Sequence, residues 1–181
     1  QIIATCKAEV QLETIFQPDL VGTEDYDTAV GTLRQCSTIA EYWEGLRESI
    51  CSCGQYPADN PFIGLDIKTA LSHLDAFTHR CKDLLEVCDA REQFAPPQQR
   101  SFPNANDFTR HDVDERLLAM KDVFFSGVLQ RLRNVRHSAL DMSSVKWHDE
   151  FAAFKTQLKA LEPKLCEILE QALDETSQLT T

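Results

Sequence analysis

The fold is decided by one stretch late in the chain, WHDEFAAFKTQLKALEPKLCEILEQAL, which runs from Trp147 to Leu173. Its apolar residues recur in alternating steps of four and three with polar residues between them: Trp147, Phe151, Phe154, Leu158, Leu161, Leu165, Ile168 and Ala172. Such a seven-residue repeat is typical of an amphipathic helix that packs against partner helices. Because Pro163 lies inside the pattern and lacks a backbone N–H, we expect a kink or a short break near Leu161 to Glu162.

Four further helices are predicted upstream of this stretch. Helical patterns of apolar residues cover residues 1–17, 24–50 and 65–94. A fourth pattern follows Asp112, which begins a D-x-x-E sequence of the kind that caps a helix. The sequence therefore predicts an all-α fold, an elongated antiparallel bundle of about five helices, with no competing strand-like alternation. Residues 95–110 contain three prolines and little periodicity, so we expect a long loop there. We expect the whole chain, residues 1–181, to form a single helical-bundle segment.

Composition narrows the classes of function. The chain has 181 residues, 43% of them hydrophobic, which suits one globular domain. A net charge of −11 disfavours nucleic acid and anionic lipid as partners, because phosphate binding depends on clustered Lys and Arg. We find no apolar run long enough to span a membrane. Seven cysteines, an odd number, favour a reduced, intracellular setting. Because the chain begins with Gln rather than Met, we interpret it as part of something longer.

Few residues suggest chemistry of their own. Cys51, Cys53, His79 and Cys81 could supply zinc ligands, but their spacing does not match that of zinc sites. The acidic residues after His111 suit the start of a helix better than acid–base catalysis. The sequence contains neither a phosphate-binding G-x-x-x-x-G-K-[ST] loop nor a G-x-S-x-G nucleophile motif. We therefore predict no enzyme activity, no catalytic residue, no metal and no cofactor in this segment.

Two separated runs of sequence match the pattern of one known family. The run LSHLDAFTHRCKDLLEVCDA, residues 71–90, has the pattern Asp-x-Phe, x-x-Arg-Cys-x-Asp-Leu-Leu and is similar to a helix of the N-terminal tail of dynein heavy chains. After Leu140-Asp141, the run that starts at Trp147 is similar to the family's Trp-x-Asp-x-Phe, x-x-Phe helix. The stretch Glu41-Tyr42-Trp43 suits the preceding family helix, and the resemblance covers most of residues 25–175.

The resemblance implies a non-motor segment of a longer helical-bundle stem. In that family the ATP-hydrolysing ring and the microtubule-binding stalk lie downstream, and the tail associates with other heavy chains, with intermediate and light chains and with docking-complex proteins, so that it anchors the motor. The sequence of residues 80–88 is more similar to axonemal than to cytoplasmic heavy chains, so the resemblance implies a location in a ciliary or flagellar axoneme. The alternatives are a helical scaffold or adaptor of another family, and a helical enzyme or metal-binding bundle; the latter needs Glu-x-x-His pairs, which the sequence lacks.

Aromatic residues in or beside loops are the candidate interaction residues, because aromatic side chains often anchor protein interfaces. On this basis the sequence suggests Trp43, Phe102 and Phe108. The exposed sides of helices 65–94 and 147–178, together with the loop 95–110, are the candidate docking surfaces. The alternative for each of the three residues is that its ring simply packs onto the bundle.

Overall fold

A computed structural model describes residues 2–52, 67–95 and 107–178 of the chain. These residues form seven α-helices: α1 (Ile2–Glu9), α2 (Leu12–Phe16), α3 (Glu24–Ser52), α4 (Ile67–Phe94), α5 (Asp107–Asp122), α6 (Leu129–Val135) and α7 (Val145–Gln178). A π-helical segment, Val123–Val128, joins α5 to α6, and 3-10 turns occupy Pro18–Leu20 and Arg136–Ser138. No strand occurs within these ranges, and the predicted all-α class is confirmed.

The chain divides into two compact units. Unit 1 comprises Gln1–Asp89 and Arg136–Ser144, and unit 2 comprises Ala90–Val135 and Val145–Thr181. Helix α4 contributes most of its length to unit 1 and its last residues to unit 2. The prediction that residues 1–181 form a single helical-bundle segment stays a prediction.

Helices α3 and α4 of unit 1 are joined by side-chain contacts. The hydroxyl of Tyr26, near the start of α3, donates to the backbone carbonyl of Cys88 at 3.4 Å, near the end of α4. Farther along α3, Glu41 lies 3.0 Å from the amine of Lys82. As the residue numbers rise along α3, they fall along α4. The two helices therefore run in opposite directions, as the bundle prediction requires.

The start of α3 is defined by a turn and a cap. Gly22 has a φ of 80°, a left-handed conformation that favours glycine because it has no Cβ. The next residue, Thr23, accepts a hydrogen bond on its hydroxyl from the backbone N–H of Tyr26 at 3.3 Å. This contact satisfies one of the unpaired N–H groups of the first turn and fixes where the helix begins.

The prediction of one helix over residues 1–17 is wrong in detail. The segment is split into α1 and α2, with Val10 and Gln11 between them. Ile15 and Phe16 at the end of α2 are fully buried. The guanidinium of Arg136 holds Glu13 through two hydrogen bonds of 2.8 Å. Packing and this ion pair thus determine the direction of α2, which the apolar pattern alone could not reveal.

Unit 2 contains a second antiparallel arrangement. Arg116 of α5 bonds to Gln171 of α7 at 2.6 Å, and Arg131 of α6 bonds to Glu150 of α7 at 2.8 Å. Between these two contacts lies a cluster of aromatic rings. Phe124 stacks on Phe94 with ring centroids 4.5 Å apart and packs edge-on against Phe154 at 6.3 Å. The rings of Trp147, Phe151 and Phe154 continue the cluster along α7.

Helix α7 is continuous through Pro163. Of the predicted kink or short break near Leu161 to Glu162, the break is therefore wrong, and the kink stays a prediction. Proline removes one hydrogen bond, the one to the carbonyl of Lys159, and Pro163 itself is exposed. Leu161 and Ile168 are buried on either side of it, so packing of the apolar stripe holds the helix together across this position.

The fourth predicted helix differs at its start and in its middle. It begins at Asp107, so Asp112 is an interior residue rather than the cap, and the predicted loop ends earlier than residue 110. No proline lies between Pro103 and Asp112, so no residue there breaks a helix that begins before Asp112. Residues 96–106 lie outside the described ranges.

None of the described helices is long and apolar enough to cross a membrane.

The π-helical segment has a visible cause in the sequence. From Met120 the apolar residues advance by three consecutive steps of four, to Phe124, Val128 and Leu132. Twelve residues exceed three turns of an α-helix by about one residue. A π turn absorbs one extra residue, and Phe124, Val128 and Leu132 are all buried in the structure.

Candidate interaction surfaces

Three large apolar side chains are exposed together on one face of α3. Ile39, Tyr42 and Trp43 are 44%, 67% and 43% exposed. Their spacing of i, i+3 and i+4 places them side by side on a helix, and the rings of Tyr42 and Trp43 meet edge to face at 6.4 Å. We call these three residues the α3 patch. Large apolar groups gathered in one exposed place are typical of interaction sites.

The α3 patch lies beside the buried stripe of the same helix. Val30, Leu33 and Ala40 are buried and form the side of α3 that packs within unit 1. Ile39 and Tyr42 do not belong to that stripe, and the sequence prediction missed them. The available signal was that apolar residues at positions 39 and 42 fall outside the helical repeat defined by the core residues.

The three predicted interaction residues have different outcomes. Trp43 is exposed and belongs to the α3 patch. Phe102 lies outside the described residues. Phe108 lies in the first turn of α5, within a stretch whose side chains are not described. The structure therefore places Trp43 at a surface, and the roles of all three residues stay predictions.

Unit 2 carries an apolar groove of about 320 Å³. Its walls come from the end of α4, from α5 and from the second half of α7: Glu92, Gln93, Phe94, Ala95, Leu117, Met120, Lys121, Leu165 and Leu169. Leu169 is 44% exposed. The groove has the size of a site for a few apolar side chains, and its two charged residues are of opposite sign.

Helix α4 exposes mainly polar side chains. Among its described side chains, none of the large apolar ones is strongly exposed. The exposed positions include Ser72, His73, Lys82 and Glu86. Among the described residues of unit 1, the strongly exposed large apolar side chains therefore lie on α3, and the docking role of the exposed side of 65–94 stays a prediction.

The Arg-Cys-x-Asp motif of α4 has a structural role. Arg80 is 8% exposed, and its guanidinium donates to the backbone carbonyl of Ser144 at 2.9 Å and lies 3.7 Å from the carboxylate of Asp83. Ser144 is the last residue before α7. Arg80 thus holds the end of the turn that leads into α7, while Cys81 and Leu84 beside it are fully buried.

The same turn is stabilised from its other side by Asp141. The hydroxyl and the backbone N–H of Ser143 donate to the Oδ1 atom of Asp141 at 2.7 and 3.0 Å. These two hydrogen bonds lower the pKa of the Asp141 carboxyl group because they stabilise its charged form. The Leu140-Asp141 element of the second motif is therefore a turn that precedes α7.

The cysteines of unit 1 whose side chains are described are buried thiols. Cys6, Cys36 and Cys81 are all close to fully buried, and none of the cysteines whose side chains are described forms a disulfide. The Cys36 thiol donates to the carbonyl of Cys6 at 3.8 Å. Burial first, then the hydrogen bond with the Cys6 thiol, raise the pKa of Cys36 to about 12; burial raises that of Cys81 to about 12. Thiols held in their neutral form are poor nucleophiles and metal ligands.

The described residues contain no cluster of three or more His, Cys, Asp or Glu side chains that could hold a metal ion. Cys53 and the side chain of Cys51 lie outside what is described, so the four-residue zinc hypothesis is tested only for His79 and Cys81. Nδ1 of His79 lies 2.9 Å from the carbonyl of Asp75, one turn earlier on the same helix. Cys81 is fully buried, whereas His79 is exposed, so the two side chains point in different directions.

Comparisons with known proteins agree on one family. The model of a family described as "Dynein heavy chain, N-terminal region 1" matches residues 1–181. The Dynein-1-beta heavy chain of the flagellar inner arm I1 complex of Chlamydomonas reinhardtii is 32% identical over 174 residues, which is 96% of this chain and 4% of that protein. The Dynein beta chain of the flagellar outer arm of the same organism is 22% identical over 159 residues, 88% of this chain and 3% of that protein. The chain therefore spans only a few per cent of the length of these relatives.

Proposed function

The chain belongs to the dynein heavy-chain family, as part of its N-terminal region 1, and from this membership we propose that it is a non-motor tail segment that helps to assemble and anchor a microtubule motor complex. Its contribution is to associate with other heavy chains, to dock intermediate and light chains and to attach the complex to its site of action through docking-complex proteins. The adaptor of another family, the alternative from the sequence, is excluded by this membership.

The observation that carries the proposal is the family match over the whole chain. Two features of the structure support it. All the described secondary structure is helical, as expected for a segment of a helical-bundle stem. The α3 patch exposes aromatic rings of the type that dominates binding energy in protein interfaces.

We also propose where the segment acts. Both curated relatives are named as flagellar arm heavy chains, and the resemblance of residues 80–88 points the same way. A ciliary or flagellar axoneme is therefore the proposed location. ATP-driven movement along microtubules is the activity we propose for the complete heavy chain, supplied by parts of that chain beyond this segment.

Affinity capture from a ciliary extract tests the proposal. The whole 181-residue chain is tagged and used as bait, next to a variant with Tyr42→Ala and Trp43→Ala and a control variant with Leu118→Ala. Leu118 is 62% exposed and lies in unit 2. We expect the unmodified chain and the Leu118→Ala control to recover dynein heavy, intermediate or light chains, and the double variant to recover less.

The proposal is contradicted if a folded, helical bait recovers none of these subunits above the level of an unrelated helical protein. Circular dichroism of each bait confirms its helix content beforehand. A double variant that recovers as much as the unmodified chain leaves the tail role in place and removes the α3 patch from it.

A further inference from the structure

The two units differ strongly in charge. Unit 1 contains 16 acidic and 7 basic residues, whereas unit 2 contains 13 and 11. Most of the net charge of −11 is therefore carried by unit 1, the unit that carries the α3 patch. A summed charge of one sign on a small body attracts partners of the opposite sign and repels partners of the same sign.

Helix α3 itself is acidic. Its sequence holds six acidic residues and two basic ones. Of the basic groups near the described part of α3, Arg34 lies 4.0 Å from Asp89, and Lys82 of α4 lies 3.0 Å from Glu41. Each of these positive charges thus has a carboxylate beside it. The described basic groups beside α3 are therefore offset by carboxylates, and the sequence of the helix as a whole is acidic.

The shape of the α3 patch suits a helical partner. Ile39, Tyr42 and Trp43 form a short ridge along one side of a helix, because residues three and four apart are neighbours there. Such a ridge fits the apolar stripe of another amphipathic helix, which presents its anchors at the same spacing. The Tyr42 ring, 67% exposed, carries a polar hydroxyl that can remain at the wet edge of such an interface.

We propose that the α3 patch binds an amphipathic helix of a partner protein whose apolar stripe is flanked by Lys and Arg. The apolar stripe covers Ile39, Tyr42 and Trp43, and the basic flanks face the acidic surface of unit 1. This inference rests on the proposed tail function, because it assigns a partner chemistry to one of the docking surfaces proposed there. It also separates partners: an acidic helix with the same stripe is repelled.

Two synthetic peptides provide the test. Both are about 20 residues long, enough to form a helix, and both carry the same Leu stripe; one has Lys on its polar face and the other has Glu. Each is labelled with a fluorophore and titrated with the whole 181-residue chain, and binding is followed by fluorescence anisotropy. We expect the Lys peptide to bind and the Glu peptide not to bind in the same range of concentration.

Variants then locate the site. Trp43→Ala and Tyr42→Ala are each expected to weaken binding of the Lys peptide by about tenfold or more, as removal of an anchor ring from an interface does. The control variants Leu118→Ala and Val145→Ala, which remove exposed apolar side chains of unit 2, should leave binding unchanged. Raising the ionic strength from about 0.05 to 0.5 M should weaken binding of the Lys peptide, because salt screens charges at a surface.

Three results overturn the inference: equal binding of the two peptides, binding that is insensitive to Trp43→Ala and Tyr42→Ala, and no binding by a chain shown to be helical by circular dichroism. None of these results contradicts the proposed tail function. The affinity capture described above reads dynein subunits directly, and it succeeds or fails whatever the charge of the helix that the patch binds.

Discussion

Replacing Phe124 with alanine is expected to lower the free energy of unfolding of unit 2 by about 3–5 kcal/mol. The side chain is fully buried, and its ring stacks on Phe94 at 4.5 Å and meets Phe154 edge-on at 6.3 Å. Alanine loses the burial of the ring and leaves a cavity. Phe124→Leu keeps most of the volume but loses the ring pairs with Phe94, Phe125 and Phe154. We expect it to cost about 1–3 kcal/mol, because an aromatic pair contributes about 0.5–1.5 kcal/mol beyond burial.

The chain offers a clean assay for this prediction. It has two tryptophans, Trp43 in unit 1 and Trp147 in unit 2. In a Trp43→Phe background, the fluorescence of buried Trp147 reports urea unfolding from within unit 2, and the midpoint at an unchanged slope gives the stability difference. The matched control is Val123→Ala, one residue away and 51% exposed, which should change stability by no more than about 0.5 kcal/mol. A cost below about 1 kcal/mol for Phe124→Ala, or equal costs for Phe124→Ala and Val123→Ala, would refute the assignment of Phe124 to the core.

Four further predictions follow from single residues. Pro163→Ala should stabilise the chain by up to about 3 kcal/mol, because alanine restores a backbone hydrogen bond inside α7. The stabilisation should appear in calorimetry as a higher melting temperature. An unchanged melting temperature would show that the helix is already adapted to proline. Arg80→Ala should cost about 1.5–3 kcal/mol in urea unfolding, because it removes a charged hydrogen bond to the Ser144 carbonyl, and Arg80→Lys should restore only part of that. In a chain with Cys51→Ser and Cys53→Ser, exposed Cys166 should react with a thiol reagent at pH 8 long before the buried cysteines do. The pKa of the Cys36 thiol is raised to about 12, so the folded state keeps the thiol proton to a higher pH than the unfolded state does. The contribution of Cys36 to stability is therefore present below about pH 9 and is lost as the pH rises toward 12. Cys36→Ser should flatten this part of the plot of unfolding free energy against pH.

The long helices could be predicted from the sequence because burial follows their apolar period. The stripe from Trp147 to Ile168 contains Phe151, Phe154 and Leu161 at buried positions, and the helices over 24–52 and 67–94 fall where periodicity placed them. Periodicity is a property of one helix at a time. It therefore indicated the presence of helices, but it could not indicate that the chain divides into two units.

Local departures from the period were harder to predict, although one of them left a signal. The three consecutive steps of four between Met120 and Leu132 do not fit a straight α-helix, and the structure resolves the mismatch with the π-helical segment Val123–Val128. The D-x-x-E sequence at Asp112 misled the prediction of the helix start, because the same spacing also occurs inside helices. The gap between α1 and α2 is held by contacts such as Arg136 to Glu13, between residues far apart in the sequence.

Most of the residues that reveal the family lie apart from the surface that we expect to choose partners. Arg80 holds a turn, and Phe77, Trp147 and Phe154 are buried, so the two longer motifs carry information about how the chain folds. A partner can contact only exposed groups. The exposed apolar cluster on α3 includes Ile39, which belongs to no motif, and shares only Tyr42 and Trp43 with the short stretch 41–43 that also carries the resemblance. Two heavy chains can therefore share the two longer motifs and still bind different subunits. It follows that exchanging the α3 patch between two such tails should change which partner is bound while leaving stability nearly the same, since surface substitutions usually alter stability by less than about 0.5 kcal/mol.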